Sequence, residues 1–259
     1  METKFEIIDF HTHPFSTAKE NICTHKNYCN MTLENTPDFL RQIGISKICG
    51  SVIERCECTW ENIKALNDSA LRLRDIYGDF YIPGFHVHPN FVKESCDEIK
   101  RMASNGVKLI GELVPYIHGW SDYSCNAFSA IIDEATSYGM IINFHSGGED
   151  NMDNMVLNHP DTIFVAAHPG EYREFMRHLN RMTLSKNYYL DLSGTGIFRH
   201  GVLRHAIDEF GADRFLFGSD FPACNPAMFV GGVLHDPLIT DSEKELILAK
   251  NAKRLLSLN

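Results

Sequence analysis

Along the chain, short runs of apolar, β-branched and aromatic residues alternate with longer stretches whose apolar positions recur at helical spacing, and the alternation persists from end to end. The runs 5–13, 45–53, 80–88, 107–114, 140–145, 162–168, 188–193 and 215–219 read as strands. Strands that alternate with helices predict βαβ units and hence a parallel sheet, and eight is the number that a closed barrel needs. The pattern therefore predicts an α/β fold of the (β/α)8 TIM-barrel type.

Helix punctuation supports that order. Thr36-Pro37 reads as an N-cap followed by proline at the first helical position, opening a helix that stops before Gly44. The stretches 60–77, 92–104, 127–138 and 202–210 each run into a glycine (Gly78, Gly106, Gly139, Gly211), the residue that tolerates a left-handed C-terminal cap. Asp241 or Ser242 is expected to cap a last helix ending near Leu256. Segments 14–35 and 222–240 exceed ordinary connection lengths, and long loops after strands are often functional. Pro14, Pro89, Pro115, Pro169 and Pro222 each follow a strand end, where the missing N–H stops ladder pairing.

A chain of 259 residues fits one barrel of about 250, so residues 1–259 are read as a single catalytic domain. The net charge of −10 opposes attraction to phosphate backbones and anionic membranes, which argues against nucleic-acid and membrane partners. A small-molecule substrate is the expected partner, and a homodimer is compatible with the composition. Residues 1–9 carry neither a basic segment nor a long apolar one, and no apolar run approaches the roughly 18 residues of a membrane span, so a cytoplasmic location is expected. The eight cysteines are irregularly spaced and fit reduced thiols better than a disulfide framework. Cys23-x-His25 with Cys29, and Cys56-x-Cys58, match no common structural zinc spacing.

Metal-binding side chains gather at the C-terminal ends of the strand runs, where barrel enzymes build their sites. His11 and His13 are two apart, share one strand face, and can reach the same ion. Strand five ends at His145, strand six at His168 and strand eight at Asp220. A single strand-end histidine is ordinarily a hydrogen-bonded structural residue, but coincidence on four strands points to one metal site. Imidazoles with a carboxylate suit zinc, with manganese, cobalt, nickel and iron also accommodated. One divalent ion is expected, with a second left open.

Asp9, on the parity of His11, is a candidate to orient a ligand or cap a loop. Glu112, which shares parity with Lys108, is placed to face the barrel mouth as ligand or substrate contact, against the alternative of a rim salt bridge. His86-x-His88 repeats the spacing of the first pair without its flanking pattern, so His88 reads as a substrate or rim residue. Arg55, after strand two, has the guanidinium fork that matches a substrate carboxylate, with simple surface exposure as the alternative.

The ordered set Asp-Phe-His11-Thr-His13, Phe-His145, Ala-His168 and Phe-Gly-Ser-Asp220-Phe-Pro resembles the amidohydrolase superfamily over nearly the whole chain. It is most similar to the amidohydrolase-related branch, which holds both hydrolases and non-oxidative decarboxylases. The resemblance implies that His11, His13, His145 and Asp220 ligate a metal, that His168 contacts substrate or the metal's water, and that Glu112 completes or bridges the site. His168-Pro-Gly-Glu departs from the His-Gly-Gly or His-Trp-Gly of many relatives, which marks a different loop after strand six. The implied activity is metal-dependent hydrolysis of an amide, lactone or ester, with Asp220 as proton carrier. Decarboxylation of a small carboxylic acid on the same residues is the alternative, its substrate carboxylate met by Arg55 or Lys108. A metal-binding scaffold without turnover is the third reading. No phosphate-binding glycine loop, dinucleotide fingerprint or serine nucleophile motif competes.

Overall fold

The computed structural model describes residues 4–25, 31–196 and 199–258. Eight parallel strands lie in chain order: β1 (Ile8–Asp9), β2 (Lys47–Gly50), β3 (Tyr81–Phe85), β4 (Leu109–Leu113), β5 (Ile141–His145), β6 (Ile163–Ala167), β7 (Tyr188–Asp191) and β8 (Phe215–Leu216). Beyond their regular pairing, the ends of β1 and β8 meet. Phe10 N donates to Phe217 O (2.9 Å), Asp220 N to His11 O (2.9 Å) and His13 N to Phe221 O (2.6 Å). The barrel closes along this seam, at the level of His11, His13 and Asp220.

Helices α1 (Thr36–Gln42), α2 (Trp60–Tyr77), α3 (Val92–Ser104), α4 (Asn126–Ser137), α5 (Glu149–Asn158), α6 (Tyr172–Leu184) and α7 (Val202–Phe210) alternate with the strands. The fold is the predicted TIM barrel, and several helix ends fall where glycine placed them. Gly106 and Gly139 sit at φ +75° and +62°, conformations that a side chain disfavours. The cap of α1 is Asn35, one residue before the predicted Thr36, whose hydroxyl instead donates to Thr32 O. The long segment 222–240 contains α8 (Pro226–Leu234), opened by the Asn225 side chain accepting from Ala227 N.

The last helix is α9 (Asp241–Glu245) and α10 (Asn251–Leu256) joined by a π-helical turn, Leu246–Lys250. Thr240, not Asp241 or Ser242, caps it, in a reciprocal box with Glu243. The wide turn lets the Ile247 carbonyl accept from Phe217 N (2.9 Å), which pins the helix to the closing strand. Buried Asn251 adds two 2.8 Å bonds to Ala212 O and Phe215 O.

Packing divides into two layers. Outward strand residues such as Ile48, Ile110, Ile142, Phe144 and Phe164 meet Leu66, Ile99, Phe128, Ile131 and Leu179 of the helices. Inward residues Ile8, Phe10, Cys49, Leu109, Ile141, Val165 and Leu216 form a second cluster with Ala249, Ala252, Leu255 and Leu256. The last helix thus stoppers the N-terminal end of the barrel, leaving the opposite end open for chemistry. Lys108 lies at the stoppered end, exposed and bonded to Ser257 Oγ (3.0 Å), so it is no partner for a substrate carboxylate at the mouth. Among the described residues no helix is long and apolar enough to cross a membrane.

Two stability outcomes follow from this packing. Thr240→Ala removes the cap of the stopper helix and should lower the unfolding free energy by about 1 kcal/mol in urea titrations, with Asp241→Ala costing less. His178, fully buried with Nδ1 2.6 Å from the Tyr188 hydroxyl, is held neutral by burial and then by the Arg181 cation, its pKa pushed down to about 3. Its unfolded value is about 6.5. The unfolded state therefore binds a proton that the native state lacks, and stability present above pH 6.5 falls as pH drops toward 3. In His178→Asn the decline between pH 6.5 and 4.5 should be shallower, by up to about 1.4 kcal/mol per pH unit; parallel declines would show that His178 takes up no proton on unfolding.

Candidate active site

The mouth of the barrel gathers six of the residues singled out in the sequence: His11, His13, Glu112, His145, His168 and Asp220. His11 Nε2 and His13 Nε2 are 3.3 Å apart. Glu112 Oε2 stands 3.4 Å from the first and 3.2 Å from the second, and Asp220 Oδ1 stands 3.8 and 3.6 Å from them. The other carboxylate oxygen of Glu112, Oε1, lies 3.0 Å from His145 Nδ1 and 3.3 Å from His168 Nε2. Glu112 is therefore the centre of the group, with one oxygen toward the β1 pair and one toward β5 and β6.

Two local irregularities aim these side chains. Alternation along β1 would turn His11 away from the interior that Ile8 and Phe10 fill, but the chain bends at Phe10–His11, and His11 and His13 face inward as well. In β4 the pairing register shifts between Ile110 and Leu113, so that Leu109 and Glu112, three apart, both face inward. Gly111 makes the shift possible at φ +97°, where a Cβ would stand 2.0 Å from Asn143 O. His168 and Asp220 occupy left-handed backbone at φ +66° and +59°, strain that the surrounding packing sustains at the mouth.

The far ring nitrogens set the direction of the lone pairs. His13 Nδ1 is 3.0 Å from Ser51 O, a carbonyl that can only accept, so Nδ1 carries the hydrogen and Nε2 faces the centre with its lone pair. His11 Nδ1 lies 2.9 Å from Asp191 Oδ2, which anchors the ring with Nε2 turned to the centre. Asp191 is buried, also accepts from Asn143 Nδ2 (3.2 Å) and Ser193 Oγ (2.5 Å), and is the main site residue that sequence reasoning passed over. Its signal was the inward alternation Tyr189, Asp191, Ser193 at the end of an apolar run. His168 Nδ1 rests 3.0 Å from Ser193 Oγ.

The electrostatics follow from confinement. Burial opposes charge on both Glu112 and His11, yet their mutual attraction prevails: the Glu112 carboxyl is held well below its usual range, and His11, beside Asp191 and Glu112, well above. Burial raises Asp9 to about 7 against hydrogen bonds from Ser219 and His11 N. Asp9 sits behind the ligand-type residues and ties β1 to β8.

Other expectations fall elsewhere. His88 is fully buried and lends Nε2 to His118 O (2.9 Å) and Nδ1 to Asn90 N (3.0 Å), which leaves it nothing to offer a substrate. His86, equally buried, bonds Val52 O (2.7 Å). Arg55 is exposed at the rim in a cleft of about 600 Å³ with Lys19, Glu54 and Tyr116. The described cysteines join none of the clusters of metal-ligand type among the described residues; Cys29 lies outside those residues.

The amidohydrolase family model (Amidohydro_2) matches residues 8–258. The chain belongs to that family, whose members are metal-dependent hydrolases and decarboxylases. A comparison with curated proteins returns no match. Similar solved structures include a 2,6-dihydroxybenzoate decarboxylase complexed with 2,6-dihydroxybenzoate (16% identity, TM-score 0.77, 99% of each chain covered). A probable 2-pyrone-4,6-dicarboxylic acid hydrolase from Acinetobacter baumannii is similar at 15% identity and TM-score 0.70, over 98% of this chain and 100% of that one. A dihydroxybenzoic acid decarboxylase from Polaromonas, with manganese and 2-nitroresorcinol bound, is similar at 13% identity and TM-score 0.69, over 98% and 97%. At these identities the likeness speaks for the fold.

The donor set fits the divalent ion that this amidohydrolase family uses. Ligands around a tetrahedral ion at about 2.0–2.1 Å stand about 3.4 Å apart; His11 Nε2 and His13 Nε2 are 3.3 Å apart, and Glu112 and Asp220 stand 3.2 to 3.8 Å from them. Asp191→Asn weakens the acceptor that orients His11 and should lower affinity for Zn2+ or Mn2+ about 10–100-fold in equilibrium dialysis; unchanged affinity would show that Asp191 does not set this imidazole.

Proposed function

We propose that this amidohydrolase is a hydrolase that cleaves a lactone, ester or amide of a small molecule with one tightly held divalent ion, zinc by preference of its ligands. The observation that carries the reading is the convergence of Glu112 Oε2 and Asp220 Oδ1 on His11 Nε2 and His13 Nε2, at 3.2–3.8 Å from those two nitrogens, which stand 3.3 Å apart. In the metal-free protein His11, held above its usual range, offers a proton to Glu112; a cation among these atoms would take that proton's place and draw on the lone pairs of all of them. His145 and His168, on the other oxygen of Glu112, give a second ion a place beside the first.

An ion there supplies the acidity of a coordinated water, lowering its pKa from about 16 to about 7, and polarises a substrate carbonyl. Asp220, the most exposed of the site's carboxylates, takes the proton from the attacking water and returns it to the leaving group. His168, anchored through Nδ1, shares a proton with Glu112 across 3.3 Å and presents it to the oxygen on which charge develops. Arg55 and Lys19, in the rim cleft, bind an anionic group of the substrate remote from the scissile bond.

That cationic rim also favours a second reading, decarboxylation of a small carboxylic acid. The carbon–carbon bond to the carboxylate breaks, its electron pair stays on the substrate carbon, and the proton from Asp220 replaces carbon dioxide.

Elemental analysis and two assays test these readings. Metal-loaded wild type should retain at least one ion per chain, and Glu112→Gln, which removes the charge at the centre of the group, should bind at least about tenfold more weakly. Lactone or ester turnover in a pH-stat supports hydrolysis, whereas carbon dioxide release from 2,6-dihydroxybenzoate with no hydrolysis selects decarboxylation. Equal metal binding by the two proteins would overturn the ligand assignment.

A further inference from the structure

A cavity of about 320 Å³ opens beside His145, between the loops that follow β4 and β5. Pro115, Tyr116, Trp120, Tyr123 and Gly147 form much of its wall, so it is lined largely by flat or apolar groups, with Ser121 and Asn151 as its polar members. None of these residues is needed to hold an ion.

Its aromatic residues differ in freedom. Trp120 is wedged against Tyr123 and Phe128, with ring centroids 5.2 and 5.0 Å away, and Tyr123 is buried and donates to His145 O (2.8 Å). These rings form a fixed wall tied to the backbone of a ligand-type histidine. Tyr116 is 63% exposed, although its ring stands edge-on 5.1 Å from that of His145. A large amphipathic side chain so placed, over the mouth and shared with the cationic cleft, has apolar surface left for something flat to cover. Gly147 lines the same cavity. Its backbone is not left-handed, and a Cβ built on it meets no atom within 4 Å. The glycine is thus not required by a turn or a close approach; what its missing side chain leaves is space.

Resting on the metal-centre reading above, we propose that this cavity is the subsite for a planar ring of the substrate, with Tyr116 and Trp120 as its walls and Gly147 setting its depth. The substrate class is then a cyclic or aryl-bearing molecule whose reacting carbonyl or carboxyl group lies at Glu112 and His145, while the ring lies toward Trp120. Short-chain acyclic substrates leave the cavity unfilled.

Paired ligands with a common metal-binding head separate the ring from the rest. Benzohydroxamate and acetohydroxamate are titrated into metal-loaded wild type and Gly147→Leu by calorimetry. Wild type should bind the benzo compound at least about tenfold more tightly, the size expected for one ring stacked on aromatic walls. Gly147→Leu should lose about that factor for benzohydroxamate and less than about twofold for acetohydroxamate. Tyr116→Ala, at an exposed position that folding does not depend on, should lose part of the same preference and provides the test if Gly147→Leu does not fold. Equal affinities for the two ligands in wild type, or equal losses for both in the variants, would overturn the ring subsite while leaving the metal centre standing. Binding of neither ligand would overturn the metal centre and the subsite that rests on it.

Discussion

The constraint on which this structure turns is electrostatic: the barrel holds a buried glutamate between two sets of imidazoles. Left in water, Glu112, His11 and His13 would separate and hydrate. Here the seam between β1 and β8 fixes His11, His13 and Asp220 relative to one another through three backbone bonds, and the register shift at Gly111 brings Glu112 up to them. Burying these groups costs hydration in the bare protein, where the proton of His11 offsets the charge of Glu112, and a bound cation would recover that cost by mass action. Metal affinity and fold stability are for this reason coupled in one set of contacts.

The same constraint explains the supporting shell. A histidine contributes a lone pair toward the centre only if its other nitrogen is occupied, and Ser51 O and Asp191 do this for His13 and His11. Ser193 then links Asp191 to His168, so that the β1 and β6 rings share one anchor. Asp9 holds the backbone of the seam rather than any ring, which is why its carboxyl tolerates a pKa near neutrality behind the site.

How much of this the sequence displayed depended on whether the signal was local. The eight strands, most helix ends, and His11, His13, His145, His168 and Asp220 were legible, because apolar runs and strand-end positions are properties of neighbouring residues. Glu112 was legible for the wrong geometric reason. Strict alternation groups it with Lys108, whereas the shift at Gly111 pairs it with Leu109 and leaves Lys108 outside at the stoppered end. His88 carried the same spacing as His13, but the carbonyl of His118 that consumes it comes from a loop thirty residues away in sequence. Asp191 was hidden because an acidic residue inside an apolar run looks like a strand interior until its partner, His11 from the opposite end of the chain, is known.

The division between the two ends of the barrel bears on how such a site can change its reaction. The stopper helix and the inward apolar cluster take the stability burden at one end, and the ligand-type residues sit on strand ends and the closing seam. Tyr116, Arg55 and Lys19 stand exposed on loops apart from both. On the proposed reading, substitutions among those loop residues alter which molecule is held, and in what orientation, without loosening His11, His13, Glu112 and Asp220. Hydrolysis and decarboxylation demand the same ion and the same proton carrier, differing in which bond of the substrate is presented to them. On the proposed reading, the choice between them falls to the walls of the mouth and not to the centre.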